Sequence, residues 1–402
     1  MSRAVHISRR AAGVPASPIR GLAPLAAETA ARGVHIYHVN IGQPDLSAPP
    51  EILDAIKPPA DGIIPYAPSH GQPETVRAWC RYYGTLGIDL APQDVLVTTG
   101  GGEAIGFAMM AVADPGDEIL IFDPTYASYL GFAAVGNIEL VPIAAPAPGY
   151  HLPSGEEIER YITPRTRAIV VVNPNNPTGT VYTRDELAAV MEAASRNGLF
   201  VIADETYREL VFDGREHVSA FSFPGMEDTV IVVDSVSKRF SATGMRVGCL
   251  ISRNHEVTTA ALRMAMARLS TPTIEQLAVV PLLENPTAYT TWLRGVYQSR
   301  RDATYAAISA IPGVSVARPE GAFYVMIQLP VPDSQAFARW LLTDFERDGE
   351  TVMVAPGPGF YVGKGRGASE VRLAFVLAEE HLRRAIHLLE EALAAYPLRQ
   401  AA

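Results

Sequence analysis

Six runs in this chain are apolar almost without a break: DVLVTT, EILIFD, RAIVVVNP, LFVIADE, TVIVVDS and VGCLIS. A strand that is wet on one face alternates apolar and polar residues. A run that does not alternate is covered on both faces. The runs therefore predict a mostly parallel sheet between two helical layers, an α/β fold. Helical segments fall between them. TRDELAAVMEAASRNG has Thr183 as an N-cap, Glu186 three residues on and Gly198 as a C-terminal stop. GGGEAIGFAMMAVA opens on a glycine turn and continues with helical composition.

From about residue 290 the pattern changes. A long helix over YTTWLRGVYQSRRDATYAAISAI is followed by a hairpin in GVSVARPEGAFYVMIQL. Two amphipathic helices and the strand EVRLAFV complete the stretch. The expectation is a large domain over residues 46–289 and a smaller α+β domain over 290–402, joined by residues 1–45 with an N-terminal arm.

Composition removes several classes of function. The chain has 402 residues, 48% of them apolar, enough for a large core. A net charge of -10 offers no basic footprint for nucleic acid. No apolar run is long enough to span a bilayer, so no membrane partner is expected. The opening MSRAVHISRRAAGVPASP lacks the apolar block of a secretory signal and reads as an exposed arm. Cys80 and Cys249 have no paired spacing, and the nine histidines form no ligand-like cluster. These features predict a reduced, cytoplasmic protein with no disulfide and no metal site.

In a sheet of this kind ligands bind beyond the carboxyl ends of the strands. The loops there are TGGGE, DPTY, NPNNPTG, DETY and DSVSK. Each has an ordinary explanation alone: a glycine helix start, a packed Tyr126, a turn, a capping Asp204, a solvated Lys238. Together they put a phosphate cradle, a carboxylate, two phenols, an amide and an amine at strand ends. That is the set needed to hold pyridoxal 5'-phosphate (PLP).

SVSKRFSATGMR, with Arg246 eight residues after Lys238, resembles class I/II aminotransferases of PLP fold type I, the aspartate aminotransferase family. NPNNPTG and DETY stand in the matching order. The likeness runs from NIGQPD through YAPSHGQPETVR, GGGEAI, DPGDEI and GAFYV to VRLAFV. It implies a seven-stranded sheet in the large domain and the following roles. Lys238 would hold the aldehyde as a Schiff base and, once released, shuttle a proton. Asp204 would pair with the ring nitrogen, and Tyr207 and Asn176 with the phenolic oxygen. Tyr126 would stack on the ring. Gly101, Gly102 and Glu103 would offer backbone N–H groups to the phosphate, with Ser235, Arg246 and Ser237 completing the cradle. Arg372 would clamp the substrate α-carboxylate, helped by Asn176 and the Gly42 backbone. Tyr66 would reach the phosphate of a neighbouring subunit, making a homodimer with shared sites.

The implied reaction is transfer of the α-amino group of an amino acid to a 2-oxo acid. Elimination or cyclisation, as in lyases and aminocyclopropane-carboxylate-synthase-like enzymes, uses the same Lys, Asp, Tyr and Arg. A non-catalytic binding protein on this fold is the further alternative; the chain has no spare length for a DNA-binding domain. For the side chain, the family's partner-subunit arginine falls at Met266, with Arg263 and Arg268 out of step. Tyr361 in PGFYVG stands where glycine is common. Aspartate-type and broad or aromatic specificity both remain open from sequence.

Overall fold

The computed structural model describes residues 5–58 and 62–398; the first four residues of the N-terminal stretch lie outside them. Its main sheet has seven strands. Across the sheet they run Val95–Thr99, Val247–Ile251, Val230–Ser235, Phe200–Asp204, Thr166–Val172, Glu118–Asp123 and Glu139–Ala144. Six share one direction, and Val247–Ile251 is antiparallel to both neighbours. Its reversal has a simple cause. Only residues 236–246 separate it from the preceding strand, too short a stretch for a parallel crossover.

Successive strand residues feed different cores. Val97, Leu120, Val171, Val201, Val232 and Cys249 pack on one face. Leu96, Ile121, Val170, Ile202, Ile231 and Leu250 pack on the other. Both sets are buried, which is why the runs are continuous in sequence. Each such side chain contributes about 1.5–3 kcal/mol by leaving water. Helices Gly100–Val112 and His255–Arg268 cover one face, and Pro73–Gly84 and Arg184–Arg196 the other. The last of these is capped as expected: Thr183 accepts from the Glu186 N–H, and Glu186 accepts from the Thr183 N–H.

A second, antiparallel sheet holds Ala355–Pro356, Glu370–Ala374, Tyr324–Gln328 and Ser315–Val316, in that order. His35–His38 pairs in parallel with Glu350–Met353, so the N-terminal segment packs with the C-terminal part of the chain. A third core, containing Val39, Phe323, Leu373 and Leu389, joins these elements. The helix Thr287–Ser309 is one continuous element. The glycine-rich stretch 363–369 forms turns, with Gly365 and Gly367 at positive φ.

Candidate active site

The carboxyl ends of the strands open into a cavity of about 470 Å³. Gly42, Gly101, Gly102, Tyr126 and Asn176 line it, as do Asp204, Tyr207, Ser235, Ser237, Lys238 and Arg246.

One side of the cavity is built for an anion. The strand Val95–Thr99 runs straight into the helix Gly100–Val112, whose N-cap Thr99 supplies no side-chain bond. The first N–H groups of that helix are therefore available. Gly100 has φ +70°, and a Cβ there would lie 2.5 Å from Nη2 of Arg246. A Cβ on Gly248 would lie 2.6 Å from the Gly100 carbonyl carbon. Two missing side chains thus let Arg246 and the helix start converge. Arg246, at φ 53°, is steadied by one hydrogen bond from Nη1 to the Thr243 carbonyl at 3.0 Å. Ser235 Oγ lies 2.9 Å from Ser237 Oγ and 3.1 Å from the Val247 carbonyl.

The same cavity holds a carboxylate with no ion pair among the described residues. Asp204 ends its strand, and Oδ1 accepts from the Thr206 N–H at 3.1 Å. Glu205 turns away from the cavity and binds Arg208, Ser219 and the Ala220 N–H. Burial pushes the Asp204 carboxyl up from its ordinary 3.8 to about 6, against its Thr206 hydrogen bonds. A rise of that size corresponds to on the order of 3 kcal/mol spent on ionisation in the fold. Asp204→Asn is therefore expected to stabilise the cofactor-free protein by about that amount at pH 7. The gain is present above about pH 6 and fades as pH falls towards 4, where the native carboxyl is itself protonated. Denaturant unfolding at both pH values checks this. An equal difference at pH 4 and pH 7 would refute it.

Lys238 lies in the short turn Val236–Arg239. Its Nζ donates to the Gly42 carbonyl at 2.8 Å. Burial first, then the nearby Arg372 and Arg246 charges, lower its pKa from 10.5 to about 7. The turn stands on a buried ion pair: Arg239 Nη2 is 2.6 Å from Asp234 Oδ2, which also accepts from the Tyr83 hydroxyl at 2.9 Å. Gly42 itself must lack a side chain, because a Cβ would lie 1.8 Å from the Tyr324 hydroxyl oxygen.

Arg372 is fully buried behind the cavity wall. Nη1 donates to Asn176 Oδ1 at 2.9 Å and Nη2 to the Asn40 carbonyl at 2.7 Å. Its Nε has no partner among the described residues. The guanidinium is stacked between the rings of Tyr324, at 4.1 Å, and Phe360, at 4.7 Å. Tyr207 reaches Tyr324 hydroxyl to hydroxyl at 3.0 Å.

The remaining expected residues stand elsewhere. The Glu103 carboxylate accepts from the Thr99 N–H and from Arg268 Nε, so it ties its own helix start to Arg268. Arg268 is thereby engaged, while Arg263 and Met266 are exposed. Tyr66 is 81% exposed and lies with Ile64, Pro65 and residues 270–273 around a second concavity. The Tyr361 hydroxyl donates to Glu370, and Gly367 leaves the room its ring occupies. Sequence reasoning did not single out Thr206, Tyr324, Ser17, Ile19 or Arg20, all of which line the cavity. Thr206 and Tyr324 sat inside quoted motifs. The other three belong to the arm, which carried no pattern.

A seven-stranded sheet covered on both faces, with a cavity at its strand ends, is the architecture of fold type I aminotransferases. The family model for aminotransferase class I and II matches residues 35–389, and the chain belongs to that family. The aspartate/prephenate aminotransferase of Thermus thermophilus is 32% identical over 392 residues, spanning 94% of this chain and 97% of that protein. An alanine aminotransferase from Pyrococcus furiosus superposes with a TM-score of 0.87 at 32% identity, covering 96% of this chain and 99% of the other. An N-succinyldiaminopimelate aminotransferase from Mycobacterium tuberculosis gives a TM-score of 0.87 at 29% identity, covering 96% and 100%. Relatives of similar closeness thus carry names for different substrates.

Proposed function

We propose that this chain moves the α-amino group of an amino acid to a 2-oxo acid, using pyridoxal 5'-phosphate held in the cavity, with specificity of the aspartate type. The observation that carries this reading is the set of complementary groups facing one space. A buried carboxylate has no cation beside it among the described residues, an enclosed amine is poised near neutrality, and a helix start faces Arg246. These fit a protonated ring nitrogen, an aldehyde and a phosphate respectively. When bound, the cofactor supplies an electron sink that lets the Cα proton of an amino acid be removed.

Lys238 would hold the aldehyde covalently and afterwards carry the proton at Nζ, where a pKa of about 7 suits both giving and taking. Asp204 would keep the ring nitrogen protonated. Tyr207 and Asn176 would bond the phenolic oxygen, and Tyr126 would cover the ring. Gly101, Gly102, Glu103, Ser235 and Arg246 would hold the phosphate. Arg372, with Asn176 and the Gly42 backbone, would hold the α-carboxylate. Residues 46–289 would form the cofactor-binding domain and 1–45 with 290–402 the smaller one.

We read the strip of exposed apolar side chains at Ile64, Tyr66, Leu269 and Leu277 as a homodimer surface, with Tyr66 completing the neighbour's phosphate site. Full activity at a sedimentation mass of a single 43.2 kDa chain would refute it. No helix among the described residues is long and apolar enough to cross a membrane. The unpaired Cys80 and Cys249 suit a reducing cytoplasm, which cell fractionation tests.

The reaction is tested by mixing the holoenzyme with one amino acid and no oxo acid. The expected result is one equivalent of the matching 2-oxo acid per site, with the amine retained on the enzyme. Release of ammonia or a cyclic product over many turnovers would replace transfer by elimination or cyclisation.

A further inference from the structure

The roles above use every cation at the cavity except Arg20. The wall carries Arg20, Lys238 and Arg246, with Asp204 as its one carboxylate. Arg246 has the phosphate to meet and Lys238 the aldehyde. Arg372, behind the wall, has the α-carboxylate. The Arg20 guanidinium is exposed and makes no hydrogen bond or ion pair among the described residues.

Arg20 is nevertheless held at the cavity by its backbone. Asn40 Nδ2 donates to the Ile19 carbonyl at 2.8 Å. Pro18 packs where Gly359 has no side chain; a Cβ there would lie 2.3 Å from Pro18 Cβ. The Arg20 N–H bonds the Ser17 carbonyl at 3.3 Å, and its own carbonyl accepts from the Ala23 N–H at 3.0 Å. Asn40 also gives its carbonyl to Arg372. One residue therefore links the segment bearing Arg20 to the arginine assigned to the α-carboxylate. That link ties the backbone of the segment bearing Arg20 to Arg372, so two cationic residues stand at one cavity, as a molecule with two carboxylates requires.

We propose that Arg20 binds the side-chain carboxylate of a dicarboxylic amino acid or 2-oxo acid, supplied by the same chain that supplies Lys238. This rests on the amino-transfer reading and names its substrate class. Ile19, Ile41 and Ile105, on the same wall, would pack the carbon chain between the two carboxylates. Arg268, at the end of the helix His255–Arg268, is committed to Glu103 and leaves this role open.

The test uses the holoenzyme and its Arg20→Met and Arg20→Lys variants. Single-amino-acid reactions are run with aspartate, glutamate, alanine and phenylalanine. Binding of succinate and butyrate is read from the visible absorbance of the bound cofactor. Arg20→Met is expected to lower kcat/KM for aspartate or glutamate, and to weaken succinate binding, by roughly 100-fold, the worth of a charge-assisted bond. Alanine turnover and butyrate binding should stay within about threefold, and Arg20→Lys should recover part of the loss. Equal losses for aspartate and alanine would make the arm merely structural and overturn the proposal. A loss confined to phenylalanine would overturn it in favour of stacking on an aromatic side chain. If the native holoenzyme releases a 2-oxo acid from no amino acid, the amino-transfer reading fails, and the contrast between succinate and butyrate still decides the role of Arg20.

Discussion

Lys238→Ala is expected to lower amino-group transfer by roughly 10⁴-fold, the upper end of what a positioned acid–base group supplies. The same change should abolish covalent retention of the cofactor while leaving the fold intact. The chain makes this test sharp. It contains three lysines, and Lys57 and Lys364 are exposed on the surface. Borohydride reduction of the native holoenzyme followed by peptide mass mapping should place the label on Lys238 alone. Equal covalent retention in the Lys238→Ala variant would remove the lysine from its assigned role. The pH course is a second readout. Burial and the Arg372 and Arg246 charges disfavour the ammonium, so its pKa falls to about 7. The neutral amine is the reactive form. Cofactor attachment to the apoenzyme should therefore quicken as pH rises through about 7 and level off above it. A rise centred near 10.5 would mean that the amine is solvated.

Arg372→Met should cost on the order of 10³-fold in kcat/KM for every amino acid alike, since a buried, bidentate charge partner is lost. Cofactor affinity should be unchanged, because the arginine stands behind the wall and not at the phosphate. Methionine keeps apolar bulk between the Tyr324 and Phe360 rings, which limits the packing loss. Arg372→Lys keeps the charge but loses the fork, and should fall between the two. Lost cofactor with normal kcat/KM in reconstituted enzyme would contradict the assignment. The uniform loss also separates Arg372 from Arg20, whose loss is confined to dicarboxylates.

The sheet was legible because its strands are buried on both sides, and burial leaves a continuous apolar trace. The strand-end loops were legible because glycine, Asn, Asp and Lys are expensive to place beside a core without cause. The reversed strand Val247–Ile251 carried no signal of direction in its own residues; only the length of the connection before it reveals that. Arg268 and Met266 differ in fate although they are neighbours on one helix. One bonds Glu103 and the other is exposed, and no linear pattern distinguishes such choices. The arm was the least legible part. Its place over the cavity depends on a missing side chain at Gly359 and a carbonyl bond from Asn40, both distant in sequence.

The pairing of His35–His38 with Glu350–Met353 joins positions 315 residues apart, as His35 faces Glu350. A chain emerging from the ribosome exposes the first strand long before its partner exists. Asn40, Gly42 and the arm follow or precede that strand directly, so their docking must wait for nearly the whole polypeptide. Nascent fragments that stop short of residue 350 contain all seven strands of the main sheet and Lys238 but lack the partner of His35–His38. The segment that sets Gly42 against Lys238 thus gains its sheet partner only once the C-terminal part of the chain exists.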